Sequence, residues 1–276
     1  MIGNIIGISD GSLWPTFKEQ TDRYLDQYTQ LYSLPVLNGV ELVWLHKDWW
    51  DVLTERIQGV YLDKQYISLH LSRPLVQSFE HVEDIIGLLY AAVEQFRVRN
   101  IVVHADWACE WVWLRGLDDL PISIENTDHL SMFGKTLDDV ESVVGDFHIT
   151  LDLQHCFDND RSGNLALDFH NRFLNRIAEF HVSGWGGGGD GGSGEGGELG
   201  KHVPLSSIHQ RTPLDSLTQN TILSEIFNDP TIPVIIESGC ASVGEYKSEI
   251  KYITDYVNHL NLRVKNVTIK PKIHSV

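Results

Sequence analysis

The sequence predicts an α/β fold, a single (β/α)8 barrel of parallel strands, and three observations carry that prediction. Short apolar runs rich in β-branched residues alternate along the chain with segments of helical spacing. Eight such runs are present, the number a closed barrel needs. Five of them end in a histidine or an acid: Ile67 to His70, Ile101 to His104, Ile122 to Glu125, Ile149 to Asp152, and Val234 to Glu237. A sixth, Glu179 to Val182, carries His181 inside. One ligand at a strand end is chance, whereas six gather chemistry at one barrel mouth, where the loops after the strands build the site.

The expected strands are Asn4 to Ser9, Val40 to Trp44, Tyr66 to Leu71, Ile101 to His104, Ile122 to Glu125, Ile149 to Leu153, Glu179 to Ser183 and Pro233 to Glu237. Pro121 and Pro233 stand at strand starts, where a missing amide is tolerated. Between the strands, Val82, Ile85, Ile86, Leu89, Val93 and Phe96 form an apolar helical stripe. Phe169, Phe173, Leu174 and Ile177 form a second, and Tyr246, Ile250, Ile253, Val257 and Leu260 a third. Strand followed by helix, repeated, implies parallel strands joined by right-handed crossovers. No linker interrupts the alternation, so residues 1–276 read as one domain. From Gly184 to Gly200, 11 of 17 residues are glycine. Such a segment reads either as a lid over the site or as a plain insertion. The tail from Asn261 to Val276 has no evident place in the barrel.

Composition narrows the function. There are 21 Lys and Arg against 38 Asp and Glu, a formal charge of −17 that disfavours nucleic acid and anionic membranes as partners. No stretch approaches the roughly 18 apolar residues of a membrane span. The N-terminus lacks a basic region and a small-residue cleavage site, and three cysteines fit a reducing compartment. The expectation is a cytoplasmic protein with a small-molecule substrate.

The strand-end residues read as a metal site. Glu125, Asp152, His181 and Glu237 supply three carboxylates and an imidazole, a set suited to Mn, Zn, Fe, Co or Mg. His155 follows Asp152 by three residues and reaches the same region, and His70, His104 and His202 add nitrogen ligands for a second ion. Glu41 reads as an internal polar partner or a support for a ligand. Cys156 and Cys240 read as small buried residues. Trp44, Trp49, Trp50, Trp107, Trp111 and Trp113 read equally as stacking surfaces for a substrate or as packing between helix and barrel.

The segments ISLHLS (67–72), IVVHAD (101–106), ISIEN (122–126), LDLQHCF (151–157), FHVSG (180–184), KHVPL (201–205) and VIIE (234–237) occur in that order. In order and spacing they resemble the xylose isomerase-like TIM barrels, which include sugar and sugar-phosphate isomerases and epimerases and the endonuclease IV-type nucleases. The isomerase members imply one divalent metal on Glu125, Asp152, His181 and Glu237, the two glutamates moving a proton and His155 touching a substrate hydroxyl. Gly184 to Gly189 stand where those members usually carry a hydroxyl-binding residue. The endonuclease IV-type members imply His70, His104, Glu125, Asp152, His155, His181, His202 and Glu237 around up to three zinc ions. Gly200 stands where the aspartate expected before His202 would be. Isomerisation or epimerisation of a small polyhydroxylated substrate is the first expectation, and metal-dependent hydrolysis of a phosphoester or amide the second. A multinuclear iron enzyme modifying a peptide and a non-catalytic binding barrel are the remaining readings.

Overall fold

The chain forms eight parallel strands around a nearly closed barrel with helices interleaved. The structure is a computed structural model that describes residues 5–12, 29–44, 47, 50, 64–185, 202–203, 223–227, 229, 231–240 and 242–267. The barrel strands are β1 (Ile6–Ile8), β2 (Gly39–Trp44), β3 (Tyr66–Leu71), β4 (Asn100–His104), β5 (Ile122–Glu125), β6 (His148–Asp152), β7 (Ile177–Val182) and β10 (Val234–Ile236). Two further strands, β8 (Gly184–Trp185) and β9 (His202–Val203), form an antiparallel pair outside the barrel sheet. The order around the barrel is β1-β10-β7-β6-β5-β4-β3-β2.

The seam between β2 and β1 is held by a parallel bridge between Ser9 and Glu41. Side chains reinforce it: Val43 N donates to Asp10 Oδ1 at 2.6 Å, and Ile6 N donates to Asn38 Oδ1 at 2.8 Å. Glycine makes the close approach possible. A Cβ on Gly7 would lie 2.6 Å from Ile235 Cδ1 and 2.9 Å from the carbonyl carbon of Gly39.

Because strand side chains alternate in direction, residues two apart share a face. His70 and Ser68, Glu125 and Ser123, Asp152 and Thr150, and His181 and Glu179 therefore point the same way, into the barrel, as do His104 and Asn100, four apart on β4. The upper member of each pair stands at the carboxyl end of its strand. The lower members form a polar layer beneath, unlike the branched apolar filling usual in such barrels.

The expected strands occur with shifted ends. Leu153 leaves β6 to open a helix, since Asp152 caps it: the Asp152 side chain accepts from His155 N. The helices with described packing are α1 (Arg73–Gln77), α2 (Val82–Phe96), α3 (Ala105–Ala108), α4 (Leu137–Val144), α5 (Leu153–Asn159), α6 (Asn164–Phe173) and α7 (Val243–Val267). In α2 the stripe Ile85, Leu89, Ala92 and Phe96 is buried. The stripe expected to continue from Phe173 to Ile177 stops early, because Leu174–Arg176 tightens into a 3-10 turn and Ile177 begins β7. The chain after Leu260 continues α7 to Val267, and residues 268–276 lie outside the described residues. The β8–β9 pair brings the two ends of the glycine-rich segment together. Residues 186–200, and with them the lid reading, lie outside the described residues. Among the described residues no helix is long and apolar enough to cross a membrane.

Gly7→Ala is expected to destabilise the fold by about 1–3 kcal/mol through overpacking at the β1–β2 seam. Chemical denaturation checks this, and an unchanged midpoint would show that the seam can open to admit a methyl group.

Candidate metal centre

Glu125, the last residue of β5, is almost fully buried and is the hub of the barrel mouth. Its two oxygens face different partners. Oε2 lies 3.0 Å from His70 Nε2 and 3.2 Å from His104 Nε2. Oε1 lies 3.2 Å from His181 Nδ1 and 3.7 Å from His155 Nδ1. His181 Nδ1 is also 3.4 Å from Glu237 Oε2.

Two groups of donors therefore share Glu125. In one, ligand atoms of His70, His104 and Glu125 lie within 4.8 Å of one another. In the other, Glu125, Asp152, His181 and Glu237 converge within the same distance. Both sets mix imidazole nitrogen with carboxylate oxygen and contain no thiolate, which fits Zn, Mn, Fe or Co and, for the carboxylate-rich set, Mg.

The outer nitrogens of His70 and His181 are held by oxygen acceptors, and His155 is tied through the nitrogen nearest Glu125, contacts that fix tautomer and ring angle in metal sites. His70 Nδ1–H donates to the Leu71 carbonyl at 3.0 Å. His181 Nε2 faces Glu179 Oε1 at 3.3 Å and Glu41 Oε2 at 3.0 Å. His155 Nδ1–H donates to the Asn126 carbonyl at 2.8 Å. Asn126 does more. Its side chain donates to the Asp152 carbonyl at 2.9 Å and accepts from Asp152 N at 2.8 Å, standing in for a ladder partner between β5 and β6. Asp152 in turn caps α5, which explains the Asp-x-x-His spacing: the cap accepts from His155 N at 2.7 Å and fixes the turn that carries the histidine.

Without metal, protons balance the carboxylates. Burial alone would pull the His70 imidazole down, but the Glu125 hydrogen bond and the Glu41, Glu125 and Glu237 charges lift it from 6.5 to about 9. Burial likewise opposes the charge on His155, and Asp152 and Glu125 overcome it, again to about 9. His181 is held well above its usual range, burial being outweighed by Glu237, Glu41 and Glu125. Burial pushes Glu125 up, but His104 and His181 hold it well below the ordinary carboxylate range.

A cavity of about 670 Å³ opens beside this cluster and is walled in part by His104, His155, Arg73, Trp107, Phe133 and Met132. Trp107 stacks on His104 with ring centroids 4.2 Å apart and 12° between planes. The other tryptophans divide by position. Trp111 is buried, Trp113 packs against the core, and Trp44 packs on Trp50 at 5.2 Å. Trp49 lies outside the described residues. Cys156 and Cys240 are buried thiols, and burial pushes both up, away from nucleophilic use.

Seven of the eight residues expected at the site, His70, His104, Glu125, Asp152, His155, His181 and Glu237, are thus brought to one barrel mouth. The backbone of His202 pairs with Trp185, and its side chain lies outside the described residues. Sequence reading assigned no role to Asn126 or Glu179. Asn126 stood inside the quoted ISIEN segment, and strand alternation places Glu179 on the face of His181, but the partners that give each its role come from other strands.

No family model matches the chain, and no curated protein matches it in sequence. Among solved structures, "The crystal structure of AsfvAP:AG" is similar over 92% of this chain and 99% of that one, with a TM-score of 0.55 at 12% identity. An uncharacterized protein from Parabacteroides distasonis aligns over 93% of this chain and 98% of that one at 13% identity, with a TM-score of 0.46, too low to support an argument. The first likeness supports the barrel fold alone.

Two outcomes are expected. His70 and His155 bind their protons more tightly in the folded chain, so their stabilisation is full below pH 6.5 and is lost as pH rises through about 9. The melting temperature of metal-free protein should therefore fall across that window, and metal binding at neutral pH should release protons. Calorimetry in two buffers of different ionisation enthalpy measures the release; identical heats would refute it. Asn126→Ala should cost about 1–3 kcal/mol by leaving the Asp152 amide and carbonyl unpaired, read from denaturant midpoints.

Proposed function

We propose that this protein is a divalent-metal-dependent hydrolase of a phosphoester or amide bond in a small substrate, with two donor groups, each able to hold an ion, that share Glu125. One observation carries the reading. Each oxygen of the Glu125 carboxylate faces a different donor group, Oε2 toward His70 and His104 and Oε1 toward His181. A carboxylate serving a single ion has no need of imidazoles on both oxygens.

His70 and His104 would hold one ion with Glu125, and Asp152, His181 and Glu237 the other. Such a pair, when bound, lowers the pKa of a water and clamps the attacking and leaving oxygens of a displaced group. His155 forms part of the cavity wall, and its Nδ1–H is tied to the Asn126 carbonyl, so the ring is oriented before substrate arrives. We assign it the proton that the leaving group takes up. Trp107 and Phe133 give the cavity apolar walls, and its volume of about 670 Å³ suits a small molecule. Arg73, also in the wall, is paired with Glu110 at 2.9 Å, and Asp106 and Asp128 line the same cavity.

A second reading, isomerisation or epimerisation of a polyhydroxylated substrate, is favoured by the intact group Glu125, Asp152, His181 and Glu237. There the two glutamates would pass a carbon-bound proton between them, and His70 and His104 would serve no ion.

Metal content per chain, measured on the reconstituted protein by plasma mass spectrometry, separates the readings. Two ions are expected, falling to one in His70→Ala, His104→Ala, His181→Ala or Glu237→Ala and to near none in Glu125→Ala. A panel of aryl phosphoesters and amides then tests hydrolysis. A single ion that persists in His104→Ala, with turnover on a sugar panel, would overturn the hydrolase in favour of the isomerase. No metal after reconstitution would sink both.

A further inference from the structure

The barrel interior beneath the metal centre holds two glutamates with no exposed surface, Glu41 on β2 and Glu179 on β7. These strands are not neighbours; β1 and β10 lie between them. Both carboxylates nevertheless meet at one atom, His181 Nε2, Glu41 Oε2 at 3.0 Å and Glu179 Oε1 at 3.3 Å. The other ring nitrogen, Nδ1, faces Glu125 and Glu237. Burying two carboxylates is costly unless they serve donors; Glu179 Oε1 hydrogen-bonds the ring, whereas Glu179 Oε2 and both Glu41 oxygens have no hydrogen-bond partner, so Glu41 meets Nε2 as an ion pair. The cost therefore goes into holding one imidazole.

Glu179 is itself held. Asn100 Nδ2 donates to Glu179 Oε1 at 2.9 Å and to Thr150 Oγ1 at 3.2 Å, and Thr150 Oγ1 shares a 2.6 Å hydrogen bond with Ser123 Oγ. A hydrogen-bonded chain thus runs from β5 across β6 and β4 to β7 and ends on the imidazole.

We propose that Glu41 and Glu179 are positioning residues: Glu179 takes the Nε2–H of His181 and Glu41 sets its charge beside it, so that together they fix the tautomer and aim Nδ1 at the metal, with Asn100 setting the angle of Glu179. This rests on the metal-centre reading above. The alternative, a third ion held by Glu41, Glu179 and His181 Nε2, is disfavoured because Asn100 already donates to the Glu179 oxygen that faces the ring.

The test uses the full chain loaded with Co²⁺. Glu41→Gln and Glu179→Gln keep shape and remove the charge, and each should weaken Co²⁺ affinity by about 10- to 100-fold in chelator competition. The visible absorption bands of the bound ion should change as the His181 ligand bond loosens. Asn100→Ser should weaken affinity in the same direction by less, and serves if either glutamine variant fails to fold. The melting temperature of the metal-free variants reads any purely structural role. Variants that melt lower yet bind Co²⁺ with parental affinity and spectrum would overturn the inference. So would loss of one whole equivalent of metal in Glu41→Gln, which would make Glu41 a ligand. A parent chain that binds no Co²⁺ would instead fail the metal-centre reading itself, before any variant is compared.

Discussion

A buried carboxylate surrounded by imidazoles governs this molecule. Glu125 has almost no exposed surface, and four histidines from β3, β4, β7 and the first turn of α5 lie within 3.0–3.7 Å of its two oxygens. A lone carboxylate in that position would be costly by several kcal/mol. Cations must therefore sit around it, protons on the imidazoles in the metal-free chain or ions in their place. Protons on those imidazoles link folding to pH through one residue, and a metal ion held there would compete with them.

The rest of the barrel serves this constraint. Apolar packing is left to the outer faces of the strands and the helices against them, where Ile101, Ile122, Ile149 and Phe180 are buried. The inner faces carry polar residues in two tiers, histidines and acids at the carboxyl ends and Ser123, Thr150, Asn100, Glu179 and Glu41 below, with Val102 between them on β4. The lower tier gives up hydrophobic filling for hydrogen bonds. Such a layer is rigid only if its members find partners, and the chain from Ser123 to His181 supplies most of them.

Loop geometry is tied to the same centre. Asp152 ends β6, caps α5 and belongs to the carboxylate-rich donor group. Asn126 stitches its backbone to β5 and orients His155. A substitution at either position would be felt in both packing and chemistry, because one set of hydrogen bonds carries both.

Much of this was legible in the sequence. Eight apolar runs and their helical spacers gave the barrel, since period and strand count are local properties of the chain. The histidines and acids of the barrel mouth gave themselves away by recurring at strand ends. What the sequence missed follows from geometry at a distance. Glu179 sits in mid-strand and has meaning only because β2 and β7 bring Glu41 and the His181 ring beside it. Leu153 reads as strand until the Asp152 cap turns the chain into a helix, and Ile177 reads as helix until the 3-10 turn before it breaks the stripe. The residues after Leu260 carry no strong amphipathic signal, yet α7 continues through Val267. Sequence by itself determined the fold class and which side chains stand at the barrel mouth, because alternation and strand termination are written residue by residue. Only the tertiary structure decided that Glu125 offers one oxygen to each of two donor groups, because that depends on the angle at which separate strands meet.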